Sequence, residues 1–289
     1  TGRVSPVAVL VPTKLSGATL SRATVHNYSM VKKNGVGPGA IIKLVRSGLV
    51  IPKIEEVIKP VEPELPKNCP SCDAHLIWEG DHLICPNKSD CPSQTENTLI
   101  HFFKTLGNVD GFGPKVIEKI ANQGIKHIHE IYQIPKHQFV EFGFGDKTSQ
   151  NLIDQLQASR EIEIEDWRFL AAFGVTRLAG GNCEKLLQHY DVIEVFEISV
   201  EDVVKIDGFA NLSAEAIVEG LANVREEFFK VFNLGFNLSV TPKESDRESS
   251  DSPIAGAVVV FTGSMQQGSR DDMEKNAKAL GAKVAKSVT

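Results

Sequence analysis

Four cysteines have the residue type and spacing of a structural metal site. They are Cys69, Cys72, Cys85 and Cys91, separated by two, twelve and five residues. Two thiolates on one tight turn can both reach a single ion, and two such pairs complete a tetrahedron. Because all four candidate ligands are thiols, the pattern predicts a closed, structural zinc site. Four buried thiols or redox pairs are the alternative.

Two glycine pairs have the spacing of a phosphate-binding turn. Gly111 and Gly113 enclose Phe112, and the same arrangement recurs at 143–145. Glycines let the backbone turn tightly and approach an anion, and the N–H groups at the start of the next helix face that anion. A lysine follows each pair two residues later, at Lys115 and Lys147. The repeat predicts helix-hairpin-helix motifs that bind DNA phosphates.

Two degenerate copies follow the first two. The third, at 174–179, has Ala179 where a second glycine is expected, and the fourth, at 207–210, has Ala210 there. Packing and DNA contact stay open as roles for both copies. Arg177 is the DNA-contact candidate of the third copy.

The charge is distributed unevenly along the chain. The formal net charge is −6, yet residues 1–60 contain nine Lys or Arg against two Glu, a net charge of +7. Residues 161–240 contain six basic against fifteen acidic residues. A basic block of this size predicts a surface that faces a polyanion. A solvated basic face without a partner is the alternative.

The predicted secondary structure that positions these residues changes from strands to helices along the chain. The apolar pattern of residues 1–60 predicts three strands. The first contains Val4, Val7, Val9 and Leu10, and the other two lie at 40–46 and 50–58. A turn is expected at 35–39. This short basic strand-rich block predicts an OB-fold, a β-barrel that binds nucleic acid. Helical spacing follows at 115–122, 147–159, 166–173, 182–190 and 213–221. We expect Asp166 and Ser213 as N-caps and Gly174 as a C-cap.

Two linkers divide the chain. Residues 60–66 are rich in proline, and residues 239–253 are polar and charged. We therefore expect several domains: 1–60 an OB-fold, 61–98 a four-cysteine zinc finger with its linker, 99–238 an all-α helix-hairpin-helix domain, 239–253 a flexible linker and 254–289 the start of an α/β domain. No apolar run could span a membrane, five cysteines fit a reducing cytosol, and a first residue other than Met suggests part of a longer protein.

The order of these parts resembles the C-terminal portion of bacterial NAD-dependent DNA ligases. Residues 1–2 look like the end of the family's Val-Gly-Arg-Thr-Gly segment, and residues 23–27 are similar to its Ala-Thr-Leu-His-Asn. Residues 46–52 are similar to its Arg-Ala-Gly-Asp-Val-Ile-Pro, although Leu49 replaces the acidic residue. Segments 252–256, 261–264, 269–272 and 280–284 resemble the opening of its BRCT domain, which would be truncated here.

The resemblance implies a partner and contact residues. The partner is nicked double-stranded DNA, with Arg46, Val50 and Ile51 in the minor groove beside the nick and Thr1 nearby. The first two hairpins would grip phosphates on both sides through Gly111, Gly113, Lys115, Gly143, Gly145 and Lys147. The zinc segment would join the OB-fold to the hairpins.

The resemblance also implies the activity of the full protein. The family seals nicks in replication and repair by joining a 5′-phosphate to a 3′-hydroxyl, using NAD and magnesium bound outside this chain. No catalytic residue is expected here, so the chain alone is predicted to be inactive. We expect a monomer in the bacterial cytoplasm, associated with the nucleoid and not with a membrane.

One four-residue string competes with this interpretation. Residues 205–208 match the Lys-x-Asp-Gly motif in which such ligases take AMP from NAD. Lys205 ends a helix-like segment instead of following the strands of a nucleotidyltransferase core, so we expect a chance match. The remaining alternative is a non-catalytic module that binds DNA junctions through an OB-fold and tandem hairpins. The cysteines and the BRCT-like start argue against it.

Overall fold

The chain consists of two compact units, residues 1–97 and 98–289. The computed structural model describes residues 2–15, 17–47, 51–244, 252–263, 265 and 268–285. Each unit is described by itself below.

A four-stranded sheet forms most of the first unit. Its strand order is β2-β3-β5-β4, with β2–β3 and β4–β5 antiparallel and β3–β5 parallel. The strands are β2 Val7–Leu15, β3 Ala18–Thr24, β4 Ile41–Ser47 and β5 Ile51–Lys59. The sequence pattern missed β3, whose residues Thr19, Ser21 and Arg22 weaken the apolar signal of a strand.

The first predicted strand was wrong in one respect. Arg3–Val4 form a separate strand, β1, which pairs with the cysteine segment and not with the main sheet. Pro6 follows, and a proline cannot donate to a ladder, so the chain breaks before β2. β1 joins β6 (Ile77–Glu79) and β7 (His82–Ile84) in a sheet of order β1-β7-β6.

A short helix precedes β4. α1, Tyr28–Asn34, begins where the Asn27 side chain accepts the Met30 N–H at 2.8 Å. It ends at Gly35, whose φ of 63° is in the left-handed region that glycine adopts without strain. The predicted turn follows, closed by a hydrogen bond of 3.0 Å from the Ala40 N–H to the Gly37 carbonyl oxygen.

Helices account for most of the second unit. The first of them, α2, begins directly after Cys91. They are α2 Pro92–Leu106, α3 Pro114–Ala121, α4 Ile128–Gln133, α5 Lys136–Glu141, α6 Asp146–Glu161, α7 Asp166–Ala171, α8 Gly180–Leu187, α9 Val200–Val204 and α10 Asn211–Phe232. Their apolar faces share one core, in which Phe102, Phe139, Phe169 and Phe228 are fully buried. Short strands β8 (Ile164–Glu165) and β9 (Leu238–Ser239) pair in parallel at its edge.

The predicted helix caps were wrong. α7 is capped by Glu165 and α10 by Ala210, so Asp166 and Ser213 already lie inside their helices. The buried Asp166 carboxylate instead accepts the N–H of Thr241 at 3.0 Å and its hydroxyl, which fixes the segment after β9. At the other end of α7 the C-cap is Ala172, and Gly174 lies two residues beyond it.

Residues 252–285 have α/β character. β10, Val258–Val259, and β11, Lys283–Val284, pair in parallel, and α11, Arg270–Ala279, lies between them in sequence. This order of strand, helix and parallel strand agrees with the predicted start of an α/β domain. Its assignment as a partial BRCT domain remains a prediction.

Candidate metal centre and nucleic-acid interface

The four predicted ligands form one cluster. The Sγ atoms of Cys69, Cys72, Cys85 and Cys91 lie within 4.8 Å of one another, and none of these cysteines forms a disulfide. The Cys69 and Cys91 sulfurs are 4.0 Å apart, and those of Cys72 and Cys85 are 3.5 Å apart. Tetrahedral Zn–S bonds of about 2.3 Å place sulfurs about 3.8 Å from each other. The observed spacings lie on either side of that value, so the donor set fits the ion.

Backbone turns hold the first pair in place. The Cys69 N–H donates to the Ala74 carbonyl oxygen at 2.8 Å, and the Asp73 N–H donates to the Cys69 carbonyl oxygen at 2.9 Å. Asp73 has a φ of 58°, a left-handed conformation that Asp tolerates better than most residues. This tight turn brings Cys69 and Cys72 to the same side.

A glutamine that sequence reasoning missed holds the loop of the second cysteine pair, Cys85 and Cys91. The Gln94 Nε2 in the first turns of α2 donates to the carbonyl oxygens of Cys85 at 3.2 Å and Asn87 at 2.9 Å. These bonds tie the loop between Cys85 and Cys91 to the helix that begins after Cys91. A lone Gln carries no motif, so nothing in the sequence marks this role.

The thiol pKa is lowered at one cysteine of the cluster and raised at another. Burial acts to raise the pKa of Cys69, but hydrogen bonds from the Ser71 and Cys72 N–H groups outweigh it and lower this pKa. Burial raises the pKa of Cys85, and the neighbouring cysteine sulfurs raise it further. Four thiolates are therefore unfavourable together without a cation, and a bound metal removes that penalty.

The first two glycine pairs precede helices as predicted. Gly113 is the N-cap of α3 and Gly145 the N-cap of α6. The glycine two residues earlier has a left-handed φ in both copies, 89° at Gly111 and 82° at Gly143. The lysines Lys115 and Lys147 are exposed in the first turns of their helices. Each turn therefore presents helix-start N–H groups and an ammonium group to solvent.

The third copy corrects the predicted alignment. Ala179 caps α8, and the residue two before it, Arg177, has a φ of 67°. Arg177 therefore occupies the place of the left-handed glycine in the first two copies, and Gly174 lies outside the hairpin. The fourth copy is regular, with φ 86° at Gly208 and Ala210 as the N-cap of α10.

A lysine links the hairpins in pairs. Lys119 in α3 donates to the Gly143 carbonyl oxygen at 2.6 Å and lies 4.5 Å from the Phe144 ring centroid. Lys185 in α8 lies 3.8 Å from an Asp207 carboxylate oxygen and 6.0 Å from the Phe209 ring centroid. Each lysine is six residues after its N-cap. The copies thus form two equivalent pairs, a relation that sequence reasoning missed although the spacing contained it.

The lysine of the competing Lys-x-Asp-Gly string lies in an ion pair. Lys205 follows α9 and pairs with the Asp202 carboxylate at 2.9 Å. The hydrogen bond and charge of Asp202 raise the pKa of Lys205, whereas a nucleophilic lysine needs a lowered pKa. That the string is a chance match remains a prediction.

Two of the predicted minor-groove residues lie in described strands. Arg46 is in β4 and pairs with Pro52 of β5. Ile51 begins β5, while Val50 and Thr1 lie outside the described residues.

Two regions of the chain match known domains, and the whole chain is similar to known proteins. A model of the NAD-dependent DNA ligase OB-fold domain matches residues 1–65, and a model of a SAM-like helix-hairpin-helix tandem matches 103–158. A DNA ligase of Shewanella baltica is 71% identical over the whole chain, and one of Psychromonas ingrahamii is 72% identical. The chain is therefore similar to DNA ligases over its whole length, and residues 1–65 match the OB-fold domain of NAD-dependent ligases.

A more distant DNA ligase also aligns over the whole chain. A DNA ligase of Desulfotalea psychrophila is 50% identical over 293 aligned residues. The chain spans 45%, 44% and 43% of these three ligases, so it corresponds to less than half of each. The predicted resemblance, the OB-fold and the helix-hairpin-helix region are confirmed. Among the described residues, no helix is long and apolar enough to cross a membrane.

Proposed function

We propose that this chain is the DNA-binding portion of an NAD-dependent DNA ligase that seals nicks in duplex DNA. The ligase joins a 5′-phosphate to a 3′-hydroxyl in replication and repair, and the adenylation domain lies outside this chain. The observation that carries the proposal is the repeated hairpin. Four turns of one design each end at a helix start, in a chain that also has an OB-fold of the ligase type.

Phosphate binding follows from the exposed face of the first two hairpins. Gly113 and Gly145 are exposed, and a Cβ at either would meet no atom within 4 Å. A phosphate can therefore approach the backbone to hydrogen-bond distance of the helix-start N–H groups. Gly111, Lys115, Gly143 and Lys147 complete these two sites, and Arg177 supplies a cation to the third.

The basic OB-fold supplies the contacts beside the nick in this proposal. Arg46 enters the minor groove with Val50 and Ile51, and Thr1 lies nearby. An arginine in the minor groove adds both charge and hydrogen bonds to base edges. The exposed lysines and arginines of residues 1–60 then contact the flanking phosphates.

Zinc is the ion that the cysteine cluster fits. Cys69, Cys72, Cys85 and Cys91 would hold it, and four thiolates leave no open position for substrate. The ion would fix the segment between the OB-fold and the helices. The proposal keeps the predicted domains 1–60, 61–98, 99–238, 239–253 and 254–289, although Thr241 near the start of the linker is held by the Asp166 carboxylate.

The ligation chemistry belongs to residues outside the chain. NAD supplies the AMP and magnesium assists its transfer there, so this chain contributes no catalytic group and is inactive alone. We place the ligase in the bacterial cytoplasm as a monomer on the nucleoid. No described feature favours the alternative of a DNA-junction-binding module.

The phosphate contacts can be tested with a salt titration. We expect the double variant Lys115→Ala and Lys147→Ala to bind duplex DNA more weakly and to lower the slope of log affinity against log salt by about two, since each phosphate contact contributes about 0.9. Fluorescence anisotropy measures both quantities. Lys104→Ala is the matched control, because Lys104 is an exposed lysine near the end of α2 and lies in neither of the two helix starts that follow the glycine pairs. An unchanged slope in the double variant contradicts the assignment.

A further inference from the structure

Two histidines and a glutamate converge where α4 meets α10. His127 and His129 lie on either side of the first residue of α4, and Glu227 lies in the last third of α10. The Glu227 Oε2 is 3.2 Å from the His127 Nδ1 and 2.9 Å from the His129 Nδ1. One ligand atom from each of the three residues lies within 4.8 Å of the others. This second cluster is distinct from the cysteine cluster in ligand type and in sequence.

The spacing matches what a small divalent cation requires. Metal–nitrogen and metal–oxygen bonds of about 2.0–2.1 Å in a tetrahedron separate the ligand atoms by about 3.3 Å. Both nitrogen–oxygen separations are slightly below that value, so a small outward movement of the side chains would admit the ion. Two neutral imidazoles and one carboxylate leave a fourth position for water.

The carboxylate is held in the orientation that the site needs. Its other oxygen, Oε1, accepts the backbone N–H of His129 at 3.0 Å, which turns Oε2 toward the two rings. Ile128 and Ile131 of α4 are buried in the helical core, so the backbone that carries both histidines is anchored. The side chains of His129 and Glu227 are 16% and 19% exposed, and that of His127 is 55% exposed. The ion would therefore enter past His127.

Neighbouring acidic groups are already paired. The Glu226 carboxylate contacts the Lys230 ammonium at 2.6 Å. The Glu130 Oε2 accepts the N–H groups of Lys126 and His127, each at 3.0 Å. These carboxylates add negative potential near the cluster without occupying it. A cation is thus attracted to the cluster, where it would replace the contacts between the Glu227 carboxylate and the two imidazoles.

We propose that His127, His129 and Glu227 bind a divalent cation of the zinc class, which joins the start of α4 to α10. Imidazole and carboxylate ligands suit zinc, nickel and cobalt ions. The ion would connect residues 100 positions apart and so stabilise the contact between the first hairpin pair and the long helix of the second. An imidazolium–carboxylate ion pair is the competing interpretation, and it predicts no metal binding.

Zinc alone is the probe for the test. The chain is first loaded with zinc at the cysteines and freed of excess metal, and zinc is then titrated by calorimetry at neutral pH. We expect one further equivalent of zinc per chain, and a thermal unfolding midpoint that rises with added zinc because the ion binds only the folded state. His127→Gln should weaken this second binding at least tenfold. Because the His127 side chain is exposed, the variant should keep the fold, which circular dichroism checks.

Further variants separate this site from surface histidines. His129→Gln and Glu227→Gln should each weaken the second equivalent, while His137→Gln, an exposed histidine on α5, should leave it unchanged. No binding beyond the cysteine site would overturn the proposal. A further equivalent that persists in both histidine variants would overturn it equally.

Discussion

Metal content is the sharpest test at the scale of single residues. The variant Cys72→Ser should lose the zinc of the cysteine cluster, because a hydroxyl is a poor substitute for a thiolate ligand. Elemental mass spectrometry of the purified chain measures zinc per molecule at the cysteine cluster once weakly held metal has been removed. Cys183→Ala is the control, since Cys183 is buried in the helical core and should leave the zinc content unchanged. Equal zinc in the Cys72 variant and the unmodified chain would contradict the site.

The ion pair of Lys205 is testable by titration. Hydrogen bonds from Lys205 and Ser199 lower the pKa of Asp202 from 3.8 to about 2. The stabilisation from this carboxylate is present above its ordinary pKa and is lost as the pH falls through the folded value. We expect Lys205→Ala to raise the pKa of Asp202, measured from its carboxyl NMR shift. Ser199→Ala should also raise it, while an unchanged value in the lysine variant would refute the pairing of Lys205 with Asp202.

At the scale of elements, the hairpin glycines should matter for stability. Gly143 has a φ of 82°, so Gly143→Ala forces a Cβ into a left-handed conformation and should lower the free energy of unfolding by roughly 1–2 kcal/mol. Gly181→Ala is the matched control. Gly181 lies in the first turn of α8 with open space around its Cα, and alanine favours helix there. Urea unfolding gives both values, and an equal loss in the two variants would contradict the hairpin geometry.

The cysteine segment should depend on its metal. Among the described residues, only Leu76 and Leu83 are buried there together with the cysteines, a core too small to be stable alone. We expect a chelator to expose the amides of residues 67–95 in hydrogen exchange and to leave those of α3 to α10 protected. Intact protection of 67–95 after complete zinc removal would contradict a structural ion.

The sequence predicted elements and ligands where local chemistry decides them. The thiol spacing identified the candidate metal ligands, and the glycine pairs located the starts of α3 and α6, because each signal lies within a few residues. Tertiary contacts decided the rest. Asp166 is not an N-cap because Thr241 engages its carboxylate, and β1 pairs with the cysteine segment instead of the main sheet.

Some parts of the site lay beyond local patterns. Arg177 replaces a glycine in a left-handed turn, which no residue preference would suggest. The contact of His127 and His129 with Glu227 joins residues far apart in sequence, so the sequence alone contains no sign of it. Lys119 and Lys185 have the same spacing from their helix starts, but their contacts with the next hairpin are visible only in the structure.

At the scale of the whole molecule, several weak contacts act together. The proposed DNA binding by an acidic chain relies on the net charge of +7 in residues 1–60, whereas residues 161–240 contain fifteen acidic residues against six basic ones. Each phosphate contact is modest and depends on salt, but their number makes the sum large. Preference for a nick then requires that the OB-fold and the hairpins bind the two sides of one break.

The most direct measurement is affinity for a nicked duplex carrying a 5′-phosphate, compared with the same duplex uninterrupted. Fluorescence anisotropy at low ionic strength, with equal lengths and sequences, isolates the effect of the break. We expect the chain to bind the nicked duplex more tightly, and Arg46→Ala to reduce that preference. Equal affinity for both duplexes, or no binding to either, would contradict the proposal that this chain holds broken DNA for ligation.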